Sequence, residues 1–110
     1  HTYMMDGSVL RWLGNLERFG PGLAKYRTIY VGHGAPTDAT QVKSQTEYLI
    51  SACQALLEAT NGTAQLTEES RKRYEQLMVA RYPRYGFQLT VGFSADALAK
   101  ELAGVKNYDW

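Results

Sequence analysis

The stretch Thr28-Ile29-Tyr30-Val31-Gly32-His33-Gly34-Ala35-Pro36-Thr37-Asp38 decides how the rest of the chain reads. Thr28 to Val31 is a short apolar, β-branched run with the composition of a buried strand. Gly32 and Gly34 flank His33; glycine removes Cβ bulk and permits positive φ, so the backbone can turn sharply and leave the imidazole projecting from the strand's carboxyl end. Open α/β folds place their ligands there. On the amino side, Asp6-Gly7-Ser8 is turn chemistry with Ser8 as the N-cap of a helix over 8–19, in which Val9, Trp12, Leu13, Leu16 and Phe19 recur at helical spacing. Gly20-Pro21-Gly22 should stop that helix. On the carboxyl side, Asp38 with Gln41 forms a capping box for a helix over 38–60, its buried stripe being Val42, Leu49, Ile50, Cys53, Leu56 and Leu57.

Asn61-Gly62 supplies a left-handed stop, and Thr67-Glu68-Glu69 opens a third helix over 67–82 with Tyr74, Leu77, Met78 and Tyr82 inward. Pro83 disfavours helix at Tyr82. Arg84 to Phe93 reads as an aromatic loop or extended segment, and Ser94 as the cap of a last helix over 94–103 with Leu98 and Leu102 inward. Helix, strand and helix in succession is the rhythm of an α/β fold. A lone strand cannot satisfy its own backbone hydrogen bonds, so Thr28 to Val31 needs a partner: Thr2 to Met5, Gln88 to Val91, or chain outside this sequence.

Gly32-His33-Gly34 with Pro36, preceded by His1, the Asp6-Gly7 turn and a helix carrying Trp12-Leu13, resembles the last metal-ligand segment of the metallo-β-lactamase superfamily. The likeness covers His1 to roughly Leu57. It implies an α/β fold, the mostly helical C-terminal part of an αβ/βα sandwich with one short strand, and a zinc-dependent hydrolase in which His33 is the last metal ligand. It also implies a small-molecule substrate whose identity the likeness leaves open. The family's His-x-His-x-Asp-His motif has no counterpart here, because the chain holds two histidines, His1 and His33. The resemblance therefore makes residues 1–110 a single C-terminal unit that pairs with a missing N-terminal half or self-associates through open strand edges. A start at His1 instead of Met agrees with trimming. The alternative is a small, non-catalytic helical interaction domain in which the glycine-flanked histidine is only a turn.

Composition narrows the classes. The 110 residues suit one domain, and 45% hydrophobic with 21% charged residues is ordinary for a globular fold. A net charge of +1 with dispersed Lys and Arg gives no reason to expect a nucleic-acid partner, and the apolar runs are too short and broken for a membrane span. Arg71-Lys72-Arg73 follows two glutamates in a helix and reads as a solvated face. Cys53, the single cysteine, sits in an apolar stripe and reads as a small buried hydrophobe.

No nucleophile motif accompanies the Ser, Cys and Lys residues. Asp6 and Asp38 read as turn and cap residues, and His1 as a loop residue that is not a ligand. Tyr74, Tyr82, Tyr85, Phe87 and Phe93 have two readings, the lining of a groove or core and interface packing. For zinc, one convincing donor falls short of the three that a site requires, so this chain alone should not hold the metal tightly.

Overall fold

A computed structural model describes residues 1–105 and 107. Four helices follow one another: α1 Val9–Leu23, α2 Thr40–Ala59, α3 Glu68–Arg81 and α4 Leu89–Leu102. No strand is present among the described residues, and the α/β expectation is corrected to an all-α domain. Thr28 to Val31 makes a single antiparallel bridge, in which Ile29 and Thr37 exchange N–H to C=O bonds of 2.7 and 2.9 Å. The reason is the shortage of partners. Met4 donates its N–H to the Ser94 hydroxyl, so residues 2–5 are engaged elsewhere, and Gln88 to Val91 leads into and begins α4. With neither segment beside it, the β-branched run lies on the surface as a loop.

α2 is the axis of the domain: it touches each of the other helices, while α1 does not reach α3. Its buried positions, Tyr48, Leu49, Ala52, Cys53, Ala55, Leu56 and Ala59, recur three and four residues apart and form one broad stripe. Tyr74 and Met78 of α3, with Val91, Ala95, Leu98 and Leu102 of α4, close the core against it. Trp12, Leu13 and Leu16 of α1 pack on its edge, half-buried.

Ser8 caps α1 as expected, accepting from the Arg11 N–H. The helix does not end near Phe19; it continues through Gly20-Pro21-Gly22 to Leu23. Proline's fixed φ is helical, and in the last turn its missing N–H leaves one hydrogen bond unmade without ending the helix. Gly20 also serves packing, because a Cβ there would lie 2.8 Å from the Val42 Cγ1 of α2. α2 starts two residues later than predicted, at Thr40 after Ala39, and no capping box with Gln41 forms. Asp38 still caps the turn from one position back: its Oδ1 accepts from the Thr40 N–H at 2.8 Å and hydroxyl at 2.6 Å. Those bonds hold its carboxyl below the ordinary range.

Asn61 and Gly62 take φ values of 52° and 79°, the predicted left-handed stop. Thr67 caps α3 in a reciprocal box with Ser70, and Tyr82, before Pro83, ends it. α4 departs most from expectation, since it begins at Leu89 and places Ser94 inside the helix. There the buried Ser94 hydroxyl donates to the Thr90 carbonyl at 2.7 Å and accepts from the Met4 N–H at 3.0 Å. Glu101, near the end of α4, reaches across to the start of α1. Its carboxylate accepts from the Ser8 hydroxyl and from the N–H groups of Val9 at 2.8 Å and Leu10 at 3.1 Å. One side chain thereby satisfies donors that a helix start leaves without intrahelical partners.

Candidate functional site

His33 stands in an exposed loop with Gly34 at φ 113°, and no described residue bonds its ring. No group of three or more His, Cys, Asp or Glu capable of holding a metal occurs among the described residues. His1 lies elsewhere, within an aromatic cluster in which its Nδ1 is 3.0 Å from the Tyr48 hydroxyl. Tyr48 stacks on Tyr85 at a ring separation of 5.6 Å, and Tyr82 tilts against both at 4.9 Å. Burial pushes the Tyr48 hydroxyl up to about 12. The two histidines therefore have separate surroundings, one packed against tyrosines and one exposed between glycines.

The five flagged aromatics divide in the same way. Tyr74 is fully buried in the core, and Tyr82 and Tyr85 belong to the cluster around Tyr48. Phe87 and Phe93 remain outside, 79% and 58% exposed, and Leu89 between them is 80% exposed. Leu89 and Phe93 share one face of α4, four residues apart, and with Met5 and Val79 they line a groove of about 540 Å³ between α3 and α4. Gly92 forms part of its wall, where a Cβ would fall on the Glu75 carboxylate.

Part of the polar rim of the groove is internally paired, and the Glu75 carboxylate adds one further negative charge. Arg71 of α3 donates to the Asp96 carboxylate at 2.6 Å and to the Gly92 carbonyl at 3.2 Å. The hydrogen bond from Arg71 holds the Asp96 carboxyl below its ordinary range. Phe87, just ahead of the groove in sequence, adopts φ 57°. A bulky side chain in the left-handed region is backbone strain, which folded proteins retain most often where a local feature serves function.

Sequence reasoning identified Phe87 and Phe93 but missed Leu89, Met5, Val79 and the Arg71–Asp96 pair. The signal lay in the spacing of Val91, Ala95, Leu98 and Leu102, which extends α4 backward and turns Leu89 and Phe93 outward together. Chemically, the groove offers apolar area and an internally paired charge, which suits binding. Comparison with protein-family models, with curated proteins and with solved structures finds no match to this chain.

Proposed function

We propose that this chain is a small helical interaction domain, without catalysis of its own, that pairs with a second copy through the groove between α3 and α4. The observation that carries the reading is the concentration of exposed large apolar side chains, Leu89, Phe93 and Met5, on that one groove, with Phe87 beside it. Scattered surface hydrophobics are ordinary, whereas a contiguous patch on a small domain marks an interaction site. The choice of a second copy follows from charge. Arg71 and Asp96 satisfy one another and Glu75 leaves a single surplus negative charge, so the rim selects no strongly charged partner, and apolar self-pairing about a twofold axis fits it. Sedimentation velocity over rising concentration tests this: the natural chain should show a dimer, and Leu89→Ser with Phe93→Ser should restore a monomer. A natural chain that stays monomeric at millimolar concentration would sink it.

A second reading keeps His33 as one ligand of a zinc-dependent hydrolase whose other donors and small-molecule substrate site lie outside this chain. One observation favours it, the exposed and unbonded imidazole between Gly32 and Gly34. Neutral imidazole is a suitable zinc ligand, and zinc supplies a bound water acidic enough to act as a nucleophile near neutral pH. Under this reading a longer chain that includes the missing donors binds zinc and loses hydrolysis on His33→Ala. Retention of activity by that variant removes His33 from the ligand set.

A further inference from the structure

The bridge between Ile29 and Thr37 leaves one edge open. Both Ile29 backbone groups are turned toward Thr37, so across the flanking planar trans peptides the Thr28 C=O and the Tyr30 N–H are turned away from it. No described residue bonds those outward groups. Tyr30 is 83% exposed, and Tyr26 and Val31 are exposed beside it.

Charge is uneven in the same region. From Val9 to Ala39, Arg11, Arg18, Lys25 and Arg27 stand against Glu17 and Asp38, whereas from Thr40 to Leu102 seven cations meet seven acids. The ion pairs among the described residues all lie in that second part, joining Lys43 to Glu47, Arg71 to Asp96, Lys72 to Glu68 and Arg81 to Glu58. The Lys25 ammonium lies 5.1 Å from the Tyr26 ring centre, and the Arg18 guanidinium 5.2 Å from that of Phe19. The carboxylate of Asp38 is taken by Thr40.

We propose that an acidic peptide segment adds as an extended strand along Thr28 to Tyr30, its backbone pairing with the open edge and its carboxylates meeting Lys25 and Arg27. β-Strand addition of this kind takes affinity from main-chain bonds, and here the surplus of cations selects the sign of the side chains. A single-stranded nucleic acid would meet the same cations and aromatic faces but has no peptide groups for the edge. The site is separate from the groove between α3 and α4 and goes beyond that reading.

The test is fluorescence anisotropy with a labelled peptide of alternating Glu and Val. Binding should weaken as salt rises, and should fall about tenfold or more in the Lys25→Glu, Arg27→Glu double variant. Tyr30→Pro should weaken it similarly: it deletes an outward N–H, and proline favours extended backbone at Ile29, so the bridge is preserved. Circular dichroism checks the helices of both variants. On the natural chain, the same peptide N-methylated at every residue, which leaves no N–H on either of its edges, should lose binding, a result independent of any variant. Leu89→Ser with Phe93→Ser should leave the affinity unchanged. Equal binding by the N-methylated peptide or by a Lys and Val peptide, tighter binding by oligothymidylate, or no binding at millimolar peptide would overturn the proposal. So would loss of binding in the groove variant, or self-association that survives that variant and disappears on Tyr30→Pro.

Discussion

Tyr74 and Cys53 share the centre of the core, and both are groups that would rather ionise in water than inside the protein. Burial pushes the Cys53 thiol up to about 12, with Glu101 adding to the shift, and burial also raises the Tyr74 hydroxyl, with Tyr48 and Cys53 adding. Their unfolded counterparts ionise near the ordinary values of 9.0 and 10.0. Stability is therefore complete below about pH 9 and decays as pH rises from there toward about 12, because the unfolded chain sheds protons that the fold retains. Each such group should steepen the loss by about 1.4 kcal/mol per pH unit, measured by urea denaturation at a series of alkaline pH values. Cys53 should resist thiol reagents at neutral pH in the native chain and react on unfolding. The Tyr74 hydroxyl has no hydrogen-bond partner in the structure, so Tyr74→Phe should be neutral or stabilising by up to about 1 kcal/mol and should flatten the alkaline limb. Single residues were legible where the local code is strong, as with Ser8, Thr67 and the Asn61-Gly62 stop. Glu101 was not, because a carboxylate that caps a helix more than ninety positions away leaves no trace in local spacing.

The helices were legible as elements, and the strand was the misreading. Four β-branched and aromatic residues in a row satisfy the composition of a strand, but a strand exists only through its neighbours, and here one bridge is all that the fold supplies. The start of α4 was hidden for a related reason: Leu89 to Phe93 contains β-branched residues and Gly92, weak helix formers that tertiary burial of Val91 outweighs. Serine's preference for caps drew the boundary to Ser94, where the hydroxyl instead bonds back to Thr90. The stripe of α2 was read correctly at Leu49, Cys53 and Leu56, all fully buried. Leu56→Ala should accordingly cost about 2–5 kcal/mol, whereas Leu16→Ala, on the half-buried face of α1, should cost less. Chemical denaturation of the two variants decides this, and equal losses would place α1 deeper than the structure does.

At the scale of the molecule, composition bounded the answer to one globular unit, and no helix is long and apolar enough to cross a membrane among the described residues. The groove was half legible, because Phe93 on its wall and Phe87 beside it could be named from the sequence while the start of the helix that carries Leu89 and Phe93 could not. Calorimetric titration of this chain with zinc should give an affinity no better than a single exposed histidine provides. The Glu101 clasp carries a consequence for how the domain opens. α2, α3 and α4 all pack on one another, whereas α1 reaches α2 and α4 alone, and its contact with α4 closes nearly the whole chain. The first helix should therefore behave as a separate cooperative unit, docking last and leaving first. Native-state hydrogen exchange should find the amides of Leu13 to Phe19 released below the global unfolding energy, together with those of Val9 and Leu10. Glu101→Ala should accelerate exchange in that helix while amides around Leu56 keep the rate set by the core.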